Sequence, residues 1–252
     1  MDFGISGKRA LVIGGSSGLG LAVCEALAAE GVNLAIFARN ASRLASASAH
    51  LTQRFGVKVE TVAGDITEPL EVQRLAEQLK ESGGLDILIL NTARPPSPMR
   101  QFLDETDDLR WSQAYQQQLN GALVVLRFIT PLLLEKSSSR LVAITSATVK
   151  QPMPSHAIST VFRAGVQAAL KHLANETASR GLTVNAVAPA SILTAGLATH
   201  HNLAERSQAI PVKRLGTPEE LAATVVFLTS RQAGFITGQT VQVDGGMTAG
   251  LV

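Results

Sequence analysis

Seven short β-branched or leucine-rich runs recur along the chain: RALVIG, VNLAIFA, VKVETVAGD, LDILILN, RLVAITS, LTVNAVAP and TVQVDGG. Amphipathic helical segments separate most of them, among them 18–30, 68–82, 106–135, 156–179 and 217–230. Near-continuous apolar runs suit strands buried on both faces, and strands that alternate with helices are joined by crossovers. The pattern therefore predicts an α/β fold with one doubly wound parallel sheet of about seven strands and helices on both faces. In TPEELAATVVFL, Thr217 is the expected cap, Pro218 lies in the first turn and Glu220 holds the capping-box position. No repeat, low-complexity tract or long linker divides the 252 residues, so a single domain over 1–252 is expected. Two stretches lack periodicity, TARPPSPMRQFLDE after the fourth strand and AGLATHHNLAERSQAIPVKR after the sixth. Both follow carboxyl ends of strands, where open parallel sheets bind their ligands.

Lysine and arginine number 22 against 20 acids, a net charge of +2, so nothing calls for nucleic acid or a membrane surface as a partner. A small-molecule substrate is the natural expectation. The lone Cys24 reads as a buried structural thiol, and with it a reducing, cytoplasmic setting. No export signal opens the sequence, and the most apolar stretch, GALVVLRFITPLLLE, is interrupted by Arg127 and Pro131, which argues against a membrane span.

After the first strand comes GGSSGLG, which sets Gly14, Gly18 and Gly20 at the start of a helix, with Ser16, Ser17 and Leu19 between them. Glycines there let the backbone approach a pyrophosphate whose charge faces the free amides of the helix N-terminus. The position of this loop in the first βαβ unit points to a dinucleotide and a Rossmann-type domain.

On these residues the chain resembles the short-chain dehydrogenase/reductase family along essentially its whole length. The family's T-G-x-x-x-G-x-G fits Ile13 to Gly20, with Ile13 in place of the threonine. NAD enzymes of this kind end the second strand in an acid, whereas here FARNASR puts Arg39 at that point with Asn40 and Arg43 nearby. A guanidinium there matches a 2′-phosphate, so the implied cofactor is NADP(H). Asp65 and Ile66 resemble the pair flanking the adenine, and NTA from Asn91 resembles the family's N-A-G. PASILT resembles P-G-x-I-x-T, which implies that Pro189, Ile192 and Thr194 hold the nicotinamide end, with Ala190 replacing the glycine.

The catalytic segment departs from the pattern. The resemblance implies Ser146 as the residue that orients the substrate carbonyl, but Ser159 and Arg163 occupy the positions of the family's Tyr and Lys, and Gln118 that of its Asn. Trp111, seven residues before Gln118, supports the alignment. A serine hydroxyl is far less acidic than a phenol, and an arginine keeps the positive charge without readily releasing a proton. Arg163 is thus expected to serve the cofactor ribose as well as the reaction. With a helix start near Ser155, His156, Ser159 and Arg163 fall within about 60° on one face, which makes His156 a candidate proton donor. Tyr115, the single tyrosine, reads as a packing residue, and Arg94 and Lys150 as secondary candidates for an acidic substrate group. No metal site is expected, since His200 and His201 lack partners at ligand spacing.

The resemblance implies an NADP(H)-dependent oxidoreductase acting on a carbonyl or hydroxyl, similar overall to acyl-carrier-protein ketoreductases, and the departures at Ser159 and Arg163 imply an altered proton donor. Two alternatives stand beside it: reduction of a conjugated C=C through an oxyanion site, and a catalytically silent NADP(H)-binding sensor or assembly protein. The resemblance also implies a substrate lid near 194–212 and a homo-oligomer, a tetramer or a dimer.

Overall fold

The computed structural model describes residues 2–91, 93–198 and 203–250. Seven strands, β1 (Arg9–Ile13), β2 (Asn33–Ala38), β3 (Val59–Ala63), β4 (Ile87–Asn91), β5 (Ser139–Ile144), β6 (Leu182–Pro189) and β7 (Thr240–Val243), form one parallel sheet in the order β3-β2-β1-β4-β5-β6-β7. Side chains alternate across it. From β1, Leu11 and Ile13 enter one core, while Ala10 and Val12 enter the other.

Helices α1 (Gly18–Ala29), α2 (Ala41–Phe55) and α9 (Pro218–Thr229) cover one face. Helices α3 (Pro69–Glu81), α5 (Gly121–Leu133) and α6 (Ala157–Thr177) cover the other. Between β3 and β4 the chain crosses back past β1, so the strand order reverses between β1 and β4. That reversal opens a crevice at the carboxyl ends of the strands.

Helix α9 has the expected capping box: the Glu220 amide donates to Thr217 Oγ1 at 3.3 Å, and the Thr217 amide donates to Glu220 Oε2 at 2.9 Å. Helix α2 is absent from the periodic segments read in the sequence, because its serine-rich stripe buries only Leu44, Ala47 and Leu51. Its terminators are clear, however. Asn40 caps it by accepting from the Arg43 amide at 2.9 Å, and Gly56 ends it at φ 71°.

The helix expected over 106–135 is broken. A short α4 (Asp108–Ala114) passes into a π-helical turn, Tyr115–Asn120, before α5 resumes at Gly121, and Pro131 lies inside α5 without ending it. The aperiodic stretch after β6 contains two short helices, α7 (Ala195–Ala198) and α8 (Leu203–Ala209). Cys24 is buried on α1, its thiol donating to the Gly15 carbonyl at 3.7 Å, and burial pushes its pKa up. No helix among the described residues is long and apolar enough to cross a membrane.

Candidate active site

A cleft of about 860 Å³ runs along the carboxyl ends of β1 to β6. Its floor begins at the glycine loop. Gly14, at φ 70°, turns the chain out of β1, and its amide donates to the Phe37 carbonyl at 2.8 Å. A Cβ on Gly20 would stand 2.2 Å from the Gly14 carbonyl oxygen, so only glycine lets α1 start this close to the strand end. Gly20 therefore lies beneath the cleft, while Gly14, Ser16, Ser17, Gly18 and Leu19 line it. Ser17 makes no side-chain cap, which leaves the first amides of α1 free to face a ligand. This cradle fits a pyrophosphate.

At the next strand end, Arg39 and Arg43 line the cleft, and Arg39 Nη1 stands 3.8 Å from Asp65 Oδ2. Asn40 also lines it, with its oxygen held by the Arg43 amide and by the Ser42 hydroxyl at 2.8 Å. Asp65, Ile66 and Asn91 follow along the wall, and Pro189 and Thr194 stand at the far end. Ile192 does not line the cleft. It is buried, bridged to Gly216, and packs under that end.

The far end belongs to arginines. Arg163 projects from α6 and is buried, yet it lines the cleft. Its Nη1 donates to Ser159 Oγ at 2.6 Å and its Nη2 to the Ala93 carbonyl at 3.2 Å, while Nε has no partner among the described residues. Burial, with a smaller contribution from Arg94, brings the guanidinium down to about 10, so it stays charged at neutral pH. Arg94, at the rim, donates from Nη2 to Thr194 Oγ1 at 2.7 Å and spans the cleft from the β4 loop to the β6 loop. The sequence hint for Arg94 was only its place directly after a strand end.

The other expected catalytic positions are scattered. Ser159 is buried against Arg163 and does not reach the cleft surface. Ser146 sits beside the cleft residue Thr145 and caps a 3₁₀ turn, Ala147–Val149, its Oγ accepting from the Thr148 amide at 3.3 Å and from the Thr148 hydroxyl at 3.1 Å. His156 does not join the expected arc. The helix starts at Ala157, leaving His156 as its cap residue at φ −117°, with Nδ1 2.6 Å from the Pro154 carbonyl and no share in the cleft lining.

Counting along the sequence selects Gln118, but the π turn buries it with both amide atoms unpartnered among the described residues, and Gln117 faces the cleft instead. Tyr115 packs on Phe162 at 6.1 Å in an aromatic group with Trp111 and Phe102, away from the cleft. Lys150 is exposed and off the cleft lining. Thr92, His200 and His201 lie outside the described residues.

A strand-order reversal, an uncapped helix start beneath it and cationic groups at both ends define a dinucleotide-binding α/β protein of the Rossmann type. In sequence, residues 14–248 match the family described as Enoyl-(Acyl carrier protein) reductase. The chain belongs to the short-chain dehydrogenase/reductase family of oxidoreductases. It is 32% identical over 95% of its length, and 98% of the relative's, to the 3-oxoacyl-(acyl-carrier-protein) reductase FabG of Staphylococcus epidermidis. Among solved structures it is similar to L-sorbose reductase from Gluconobacter frateurii complexed with NADPH and L-sorbose, with a TM-score of 0.92, 32% identity and full coverage of both chains. It is also similar to an NADPH-bound short chain oxidoreductase from Pseudomonas aeruginosa PAO1 described as containing an atypical catalytic center, with a TM-score of 0.90, 30% identity and coverage of 96% and 97%.

Proposed function

We propose that this protein is an NADP(H)-dependent oxidoreductase that interconverts a carbonyl and its alcohol, with a guanidinium and water doing the work that the family assigns to a tyrosine and a lysine. The observation that carries this reading is Arg163, a buried cation held at the cleft by Ser159 and the Ala93 carbonyl. When bound, NADPH supplies the hydride from its nicotinamide ring. The chain's own residues do the rest. The free amides at the start of α1 would hold the pyrophosphate, Arg39 and Arg43 would take the 2′-phosphate beside Asn40, and Asp65 and Ile66 would flank the adenine. Asn91, Pro189, Ile192 and Thr194 shape the nicotinamide end.

Arg163 bonds the ribose and stabilises negative charge as it builds on the substrate oxygen, and Ser146 orients that oxygen. Ser159 acts through Arg163 as a positioning residue. In the reductive direction one carbonyl, one NADPH and one proton give one alcohol and one NADP⁺, and the proton comes from water entering at the rim. The NADPH-bound neighbours support the choice of cofactor.

Reduction of a conjugated C=C is the second reading. It is favoured by a cleft that offers cations and no phenol, because an enolate needs charge stabilisation first and its carbon can be protonated later from solvent. The described parts of the lid segment, 194–198 and 203–212, would cover either substrate, residues 199–202 lying outside the described residues, and the chain assembles as a homo-oligomer through apolar side chains left exposed on its helices, such as Leu109, Val161 and Phe227.

The test is NADPH oxidation across β-keto thioesters, quinones and conjugated enones. Turnover that falls at least about a hundredfold in Ser146→Ala and stays within about twofold in His156→Ala supports water as the proton source. Loss in His156→Ala returns that role to the imidazole. Tight NADPH binding with no turnover on any compound would show a silent binding protein instead.

A further inference from the structure

The charges in the cleft do not balance at its substrate end. The anionic groups of an NADP(H) would find partners elsewhere: the start of α1 would take the pyrophosphate, and Arg39 and Arg43 the 2′-phosphate. Two guanidiniums remain at the other end, Arg94 and Arg163. Neither meets a carboxylate among the described residues. Among the described residues, the carboxylate lining the cleft is that of Asp65, which lies 3.8 Å from Arg39. Among the described residues Arg163 donates to a hydroxyl and a carbonyl, and its buried Nε meets no partner. Arg94 donates to the Thr194 hydroxyl and otherwise faces the open rim. Arg94 also disfavours the charge on Arg163, adding to the larger effect of burial. Arg163 is buried and Arg94 stands exposed at the rim above it, and placing these like charges together carries a free-energy cost that an incoming anion offsets.

We propose that the substrate is an oxo acid, with a carboxylate near its reacting carbonyl that Arg94 grips in a two-point hydrogen bond while Arg163 faces the carbonyl oxygen. A planar guanidinium on a solvent-accessible stem suits this grip, since it can leave the Thr194 hydroxyl and close on a carboxylate with both Nη groups. The assignment deepens the oxidoreductase reading and rests on it for what the bound acid is there to do. It separates this chain from its FabG relative, whose name gives a 3-oxoacyl group on acyl-carrier-protein as that protein's substrate.

Calorimetric titration of 2-oxo and 3-oxo acids of short chain length, and of their methyl esters, into the protein saturated with NADP⁺ tests the assignment without needing turnover. At least one acid should bind about tenfold or more tightly than its own ester. Arg94→Gln should remove most of that preference while NADPH affinity stays within about twofold. The proposal is overturned if no acid is preferred over its ester. It is also overturned if Arg94→Gln weakens NADPH and leaves the acid unaffected, for the arginine would then serve the cofactor pyrophosphate. An acid that binds in this way and never turns over keeps the anion site and ends the oxidoreductase reading, whereas equal turnover of acids and esters does the reverse.

Discussion

At position 20 a methyl group would meet the Gly14 carbonyl oxygen at 2.2 Å, while at position 18 it would meet nothing within 4 Å, although the backbone there sits at φ 56°. The two glycines of one motif thus do different work, and their alanine variants should separate. Gly20→Ala forces backbone apart and should cost about 2–3 kcal/mol, roughly 4–12 °C in Tm, with loss of NADPH binding. Gly18→Ala carries only the left-handed penalty of about 1–2 kcal/mol and should keep measurable binding. Differential scanning fluorimetry with and without NADPH reads both.

Arg39 is exposed and makes one long ion pair, so little of its role is structural. Arg39→Leu should weaken NADPH about 10–100-fold and leave NADH within about twofold, as measured by fluorescence titration. Arg163 differs, because its burial lowers the guanidinium pKa. The cost of its charge is present in full below about pH 10 and is relieved only as pH rises from there toward the unfolded value. No break in kcat/KM between pH 6 and 9 should therefore trace to Arg163, and a break that disappears in Arg163→Lys would contradict this.

Among the elements, α9 shows a helix whose start is written locally. Thr217→Ala should cost about 1 kcal/mol, roughly 2–4 °C in Tm, because it removes one half of a reciprocal cap and leaves the packing of α9 in place. The segment before α4 is held differently. Arg110 grips Glu105 with two bonds of 2.8 Å and the Pro98 carbonyl with a third of 2.6 Å, and Trp111 donates to the Glu105 carbonyl at 2.7 Å. The Arg110 contact holds the Glu105 carboxyl below its ordinary value, so this contribution is present above the usual carboxylate range and is lost as pH falls through the lowered pKa. Glu105→Gln should lower the Tm at pH 7 by roughly 3–6 °C, and the difference from the parent should shrink as pH falls through the lowered Glu105 pKa. Nothing in TARPPSPMRQFLDE announces this clasp, since its partners are ordinary surface residue types until the turn brings them together. The π turn is equally silent in sequence, yet it moves the cleft position from Gln118 to Gln117.

For the whole molecule, a ligand that binds only the folded state stabilises it by mass action. NADPH at a hundred times its Kd should add about 2.7 kcal/mol, roughly 5–11 °C, whether or not the enzyme turns over, and NADH at the same concentration far less. Light scattering should return a multiple of the 26.5 kDa chain mass, and a monomer would refute the proposed assembly. The sheet, its two cores and the glycine-turned helix start were legible in the sequence because each depends on short-range pattern: runs buried on both faces, strands joined through helices, and a loop where only glycine fits. What only the tertiary structure decided is which polar groups meet. Arg163 closes on Ser159 within one helix turn, but its other partner, Ala93, is 70 residues away, and Arg94 and Thr194 are 100 apart. His156 fell out of the expected constellation when the helix began at Ala157. Charge balance in a cleft is a property of the side chains that converge there from separate strand ends, and sequence spacing carries no term for that convergence.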